Sequence, residues 1–185
     1  TTTELDILSW NINHHKTQHL GAKTNQRDFT DTLKANLIFC LQETKGAIKL
    51  EDYMCFNKLR EGSSSGGLCT GIHRSISNNV KEIKNTGSSD IQAFTISKRS
   101  FSIDKDILLI NIYNSPSNSS FKLRNNEATD VLDTLSEFIN LNFDKNSCNL
   151  LLVGDFNARI STKEDIARQP KYDPNEECYN HSNHY

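Results

Sequence analysis

The sequence predicts an α/β protein built on mixed sheets, and three observations carry that prediction. A strand, a helix and a second apolar strand follow one another within residues 5–41, the order of a βαβ unit with parallel strands. Short β-like runs separated by Ser, Asn and Gly turns then occupy residues 68–113, in the manner of an antiparallel meander. A helical segment and a last apolar run close the patterned part of the chain.

Residues 5–12 alternate apolar and polar, which puts Leu5, Ile7 and Ser9 on one face of a strand. The run ends in the turn-friendly Asn11-Ile12-Asn13-His14-His15, and Trp10 reads as core. Residues 24–35 fit a helix capped by Thr24, with Phe29 and Leu33 four apart. Residues 37–41 form a continuous apolar run closing in Gln42-Glu43-Thr44, expected to be buried beside the first strand. Ser63-Ser64-Ser65-Gly66-Gly67 reads as a loop or hairpin tip. The meander comprises runs at 68–72, 80–83, 91–96 and 107–113. Residues 125–141 give the clearest helix, with Val131, Leu132, Leu135, Phe138 and Ile139 on the 3.6-residue period. Residues 150–153 read as another buried strand, ending in Gly154-Asp155-Phe156-Asn157.

Residues 161–185 differ in kind. Ile166 is their single large aliphatic, so the segment reads as a polar irregular tail or an interrupted surface loop, set apart from a domain over 1–160. The chain of 185 residues is long enough for one domain with a real core. Hydrophobic residues make up 35% of it, below the usual share, and the polar surplus is largely its 21 asparagines. A net charge of −2 argues against a protein that coats nucleic acid nonspecifically, and leaves room for a local patch that touches a few phosphates. No apolar run reaches the ~20 residues of a membrane span. The five cysteines, Cys40, Cys55, Cys69, Cys148 and Cys178, are odd in number and lack CxxC spacing. They read as buried thiols of a reducing compartment, nuclear or cytoplasmic.

The chemistry-bearing residues gather at strand ends. Asn11 follows the first strand, Glu43 the second, Tyr113 and Asn114 the meander, and Asp155 and Asn157 the last run. In α/β sheets, ligands collect at such ends, because rigid strands hold the groups while loops leave room for substrate. The set holds two carboxylates, carboxamides and a phenol, with no nucleophile beside a partnered base. Carboxylate oxygens suit Mg²⁺ or Mn²⁺, and amides and a phenol suit phosphate oxygens. That favours metal-assisted phosphoester hydrolysis over acyl transfer. Taken singly, each residue has a plainer reading, as turn former or solvated strand end. The weight lies in their combination and order.

Ser-Trp-Asn-Ile-Asn at 9–13, Leu-Gln-Glu-Thr at 41–44, Gly-Gly-Leu at 66–68, Ile-Asn-Ile-Tyr at 110–113 and Gly-Asp-Phe-Asn-Ala at 154–158 carry a resemblance. Over residues 4–160 the chain resembles the endonuclease/exonuclease/phosphatase, or DNase I-like, superfamily. Its flavour is that of the endonuclease domains of LINE-type (non-LTR) retrotransposons. The resemblance implies a mixed-sheet α/β sandwich, here with its second sheet cut short toward the C-terminus. It implies that Glu43 is the principal metal ligand, with Asn11 beside it, and that Tyr113 contacts the scissile phosphate. Asp155 would orient or deprotonate the attacking water, Asn157 would hydrogen-bond phosphate or nucleophile, and Asn118 would bind phosphate.

The family completes its site with a later Asp and a Ser-Asp-His element, which no segment after Asn157 supplies. His181 and His184 lie in Asn-His-Ser-Asn-His and read as surface histidines. The expectation is a Mg²⁺- or Mn²⁺-dependent DNA endonuclease that nicks target DNA for retrotransposition, leaving 3′-hydroxyl and 5′-phosphate. The 185-residue chain alone is expected to nick weakly or not at all, and to need a missing C-terminal segment or to self-associate. Its partners would be DNA and a reverse transcriptase domain in the parent protein, and no membrane. The alternatives are a catalytically dead nuclease-derived binding module and a phosphatase of the same superfamily.

Overall fold

The computed structural model describes residues 4–17, 21–61, 63, 65–101, 103–116 and 130–158. Asn118, the segment 125–129, Cys178, His181, His184 and all of 161–185 lie outside the described residues. The elements in chain order are β1 (Ile7–Asn11), β2 (Lys16–Thr17), β3 (Gly21–Ala22), α1 (Arg27–Lys34), β4 (Ile38–Gln42), β5 (Tyr53–Lys58), β6 (Leu68–His73), β7 (Val80–Ile83), β8 (Ile91–Ile96), β9 (Asp106–Tyr113), α2 (Val131–Asn142) and β10 (Cys148–Asp155).

Two four-stranded mixed sheets result, in the orders β1-β4-β6-β5 and β10-β9-β8-β7, with β2 and β3 forming a small ribbon. Each large sheet holds one parallel pair, β1 with β4 and β9 with β10, and its remaining pairs are antiparallel. The period-2 alternation of strands explains how the sheets stack. In β4, Ile38 and Cys40 face the other sheet, whereas Phe39 and Leu41 face outward. In β9, Ile107 and Leu109 face inward, and Leu108, Ile110 and Ile112 outward. The outer face of the first sheet packs on Phe29 and Leu33 of α1, and that of the second on Val131, Leu135 and Phe138 of α2. The protein is thus a helix–sheet–sheet–helix sandwich.

The space between the sheets is not wholly apolar. Gln42 Nε2 donates to Asn111 Oδ1 at 2.8 Å, and Asn111 Nδ2 to Thr70 Oγ1 at 3.2 Å. Thr70 Oγ1 donates to Gln92 Oε1 at 2.9 Å, and Gln92 Nε2 to the Phe56 carbonyl at 2.9 Å. All four side chains are buried, two from each sheet. Buried amides demand partners, and here each sheet supplies the other's.

Several sequence expectations need correction. The first helix begins at Arg27, not Thr24, because Gln26 is extended (φ −94°, ψ 122°) after a 3₁₀ turn at Lys23–Asn25. The run at 68–73 does not belong to the meander. It joins the first sheet between β4 and β5, while β7, β8 and β9 alone form the meander. The strand Tyr53–Lys58 carries no clear sequence signal, since an edge strand of mixed burial shows no clean alternation. The last strand is longer than expected, at Cys148–Asp155, and is a half-buried edge among the described residues. Trp10 is 39% exposed and lies on the outer face, its ring centroid 5.3 Å from that of Phe29. Its even position on β1 turns it away from the space between the sheets.

Candidate active site

The same alternation that builds the core delivers the site. Ile7, Leu151 and Val153 pack into the core between the sheets. Two-residue steps along β1 and β10 then carry Asn11 and Asp155 to the ends of those inner faces. Tyr113 ends β9, paired with Asp155 across the parallel ladder. Glu43 follows β4 directly.

Asn11 is the bridge. Its Nδ2 donates to Glu43 Oε1 at 2.9 Å and to Asp155 Oδ2 at 2.7 Å, so both amide hydrogens point at carboxylates from different sheets. Its Oδ1, the atom that would meet a metal, accepts the Asn13 N–H at 3.0 Å and keeps a second lone pair. Asp155 is held from its other side as well, with Oδ1 accepting the Asn157 N–H at 2.9 Å. The Lys45 ammonium sits 3.5 Å from Glu43 Oε2 and donates to Asn13 Oδ1 at 2.7 Å. One amide and one cation therefore stand between and beside two carboxylates at close quarters.

Tyr113 is buried, its hydroxyl lying against the Glu43 carboxylate and the Ser115 hydroxyl. Burial first, and then the Glu43 carboxylate, push the phenol far above its ordinary range, with Ser115 and the Arg60 charge pulling back. Tyr113 is a hydrogen-bond donor at any physiological pH. The side chain of Asn157 is turned elsewhere: its Nδ2 donates to the Asn114 carbonyl at 2.7 Å, on the exposed rim. The structure therefore brings together Asn11, Glu43, Tyr113 and Asp155, and sets Asn157 beside them through its backbone.

The backbone is unusual where the chemistry gathers. Six non-glycine residues among those described have positive φ, and five of them, Asn13, His14, Glu43, Lys45 and Asn157, sit at this site. Such conformations persist where surrounding bonds over-determine them, and they cluster at functional sites. Here the bonds are visible: Ile12 N–H to the Gln42 carbonyl, His14 N–H to Glu43 and His15 N–H to Thr44, at 3.0, 2.7 and 2.7 Å. Gly154 (φ 138°) precedes Asp155, and a Cβ there would stand 2.0 Å from the Ile112 carbonyl oxygen. Only glycine lets β10 come close enough to β9 to aim Asp155 at Asn11.

Three residues at the site escaped the sequence reading: Arg60, Asp90 and Ser115. Arg60 is buried, and its Nε and Nη2 donate to Asp90 Oδ1 and Oδ2 at 2.8 and 2.6 Å. Nη2 also donates to Ser115 Oγ, and the guanidinium carbon lies 5.3 Å from the centre of the Tyr113 ring. The available signal was weak: a charged residue before an apolar strand usually reads as a solvated end.

Neither a protein-family model nor a curated protein matches the chain in sequence. Solved structures do match its fold. The AP endonuclease LMAP from Leishmania major superimposes with a TM-score of 0.59 at 12% identity, over 82% of this chain and 55% of that one. The endonuclease domain of TRAS1, a telomere-specific non-LTR retrotransposon, gives 0.57 at 14%, over 85% and 61%. Truncated TDP2 from Caenorhabditis elegans gives 0.51 at 16%, over 90% and 66%. The chain thus spans between about half and two thirds of the length of these structures. With two mixed sheets stacked between helices and these neighbours in structure, the chain has the fold of the DNase I-like, or endonuclease/exonuclease/phosphatase, superfamily.

Proposed function

We propose that this chain carries the catalytic centre of a divalent-metal-dependent phosphodiesterase, an endonuclease that nicks DNA and leaves 3′-hydroxyl and 5′-phosphate. The observation that carries the reading is the Asn11 amide spanning Glu43 and Asp155, with the Tyr113 phenol against Glu43. The fold likeness to an AP endonuclease and to a retrotransposon endonuclease domain supports it. A role in retrotransposition, with a reverse transcriptase domain in the parent protein, belongs to the same reading.

The donor set fits Mg²⁺ or Mn²⁺. It offers hard carboxylate oxygens and neither thiolate nor imidazole. No group of three or more His, Cys, Asp or Glu that could hold a metal occurs among the described residues. Mg²⁺ needs no such cage, since it commonly takes one or two carboxylates and completes its shell with water and phosphate oxygens. Glu43 would hold the ion, with Asp155 near it. When bound, it supplies Lewis-acid polarisation of the phosphate.

The chain's own groups do the rest. Asp155 accepts a proton from the attacking water, held in place by the Asn11 amide and the Asn157 N–H. The Tyr113 phenol, protonated at neutral pH, would turn its one O–H from Glu43 to a phosphate oxygen on which charge builds. Lys45 adds a positive charge at the rim, next to Glu43.

Supercoiled plasmid incubated with Mg²⁺ and the purified chain, beside Glu43→Ala and Asp155→Ala, tests this reading. The expected result is Mg²⁺-dependent nicking, however slow, that falls at least ~100-fold in each folded variant. Nicking that survives both substitutions would assign the activity elsewhere. Mn²⁺ titration followed by paramagnetic line broadening adds a test without turnover. Broadening should centre on Glu43, and its persistence in Glu43→Gln would sink the assignment.

A further inference from the structure

Arg60 and Asp90 are the most deeply buried ion pair among the described residues, with side chains 2% and 8% exposed. They come from different sheets. Arg60 lies just beyond β5, at the base of the loop leading to β6, and Asp90 immediately precedes β8. Their contact is fork on fork, the geometry that fixes a guanidinium in a plane as well as in place. Further contacts hold both partners. The Asp90 carbonyl accepts the Tyr113 N–H at 3.0 Å, and the Asp90 N–H donates to Ser88 Oγ at 3.1 Å. Gly66 (φ 75°) lies over the guanidinium, where a Cβ would stand 2.5 Å from its central carbon. The remaining faces of the guanidinium meet Ser115 Oγ and the Tyr113 ring.

A buried ion pair of this kind gains little for stability over a well-packed apolar pair, so its value lies in what it positions. What it positions is Tyr113, gripped on three sides: the ring by the guanidinium, the main chain by Asp90, and the hydroxyl by Ser115 and Glu43. We infer that Arg60 is a positioning residue of the site: locked by Asp90, its guanidinium sets the ring of Tyr113 so that the phenol lies against Glu43 and faces the phosphate. The inference rests on the proposed phosphodiesterase reading and adds to it a residue with no direct contact to substrate. Charge alone does not do this. The role requires a planar cation that forks onto Asp90 while it lies over the ring, which lysine cannot replace.

The test is a double-mutant cycle with an activity-independent companion. Arg60→Lys keeps the charge and loses the plane. Nicking of supercoiled plasmid in Mg²⁺ should fall at least about tenfold at saturating DNA, with KM for DNA within about twofold. In a Tyr113→Phe background the same substitution should change the rate by less than about twofold, because Arg60 acts through the phenol. A wild-type rate in folded Arg60→Lys, or losses that multiply in full, would overturn the inference. The companion is the ¹³Cζ resonance of Tyr113 in tyrosine-labelled chain. It should shift in Arg60→Lys, and an unchanged resonance would also overturn the inference. Should Arg60→Lys not fold, the neutral pair Arg60→Gln/Asp90→Asn carries the same measurements. A wild-type chain that does not nick rules out activity of this chain by itself, and the Tyr113 resonance then decides the role of Arg60 alone.

Discussion

Replacing Asn11 by alanine should destabilise the metal-free protein far more than the metal-loaded one. Asn11 makes two hydrogen bonds to carboxylates, at 2.9 and 2.7 Å, and bonds to charged groups contribute about 1.5–3 kcal/mol each. Its removal also exposes Glu43 and Asp155 to one another. Two unit charges ~5 Å apart at an effective dielectric of ~20 repel by ~3 kcal/mol. Lys45, 3.5 Å from Glu43, cancels part of this, and water entering the gap left by the amide cancels more. The net expectation is a loss of about 2–4 kcal/mol in EDTA, a large share of a domain's stability.

A divalent cation held by Glu43 would offset the same repulsion, so the gap between variant and wild type should shrink by at least half in excess Mg²⁺. Asn11→Asp sharpens the contrast, because a third carboxylate deepens the metal-free loss and strengthens the rescue. Urea unfolding followed by circular dichroism and by fluorescence of Trp10, the one tryptophan of the chain and the neighbour of Asn11, measures both states. Coincident transitions license the comparison. A loss below about 0.5 kcal/mol, or one equal with and without Mg²⁺, would refute the bridge as a charge-holding device.

Other outcomes follow from the same geometry. Asn157→Ala should slow plasmid nicking much less than Asp155→Ala, because the Asn157 side chain bonds the Asn114 carbonyl while only its main chain supports Asp155; equal losses in a steady-state assay would contradict this. Cys55, drawn down to about 7 by the Cys69 thiol against it, should gain thiolate as pH rises through 7 and react with iodoacetamide there, whereas buried Cys40, pushed up to about 12, stays inert. Mass spectrometry showing a Cys55 midpoint near the ordinary thiol value of ~8.5 would count against it. Thr44→Val should be neutral or stabilising by up to ~1 kcal/mol, since the buried Thr44 hydroxyl has no partner among the described residues; a clear drop in the thermal midpoint would show that the hydroxyl is in use.

The strand-end polar residues were legible because they interrupt strong apolar signals. Asn11, Glu43, Tyr113 and Asp155 each end or follow such a run, and a strand must end where its core ends. The strands at Val80–Ile83 and Ile91–Ile96 were read with their observed bounds for the same reason. What pattern alone could not show was the division between sheets. The run at Leu68–His73 has the same local signature as its successors, and only long-range pairing with β4 and β5 assigns it to the other sheet. Arg60 and Asp90 were invisible on similar grounds. Lone charges beside strands are mostly solvated, and 30 residues of chain separate the two partners of that buried fork.

The division between sheets also explains why the site is where it is. Asn11 and Glu43 belong to one sheet, Tyr113 and Asp155 to the other, so the distances that matter are set by how the sheets dock. Apolar packing by itself fixes separation well and lateral register poorly, since leucine-sized groups repack at small cost. The chain of Gln42, Asn111, Thr70 and Gln92 supplies the missing register, because a slide of one sheet on the other would strand buried amides. Gln42 is the residue before Glu43, and Asn111 lies two before Tyr113 on the same face of β9. The amide that locks the sheets is thus one inward-facing step from the phenol that meets the carboxylate. Asn111→Leu keeps the volume and removes the lock. It should leave the fold intact while weakening Mn²⁺ binding and nicking together, a pairing that a purely local site would not show.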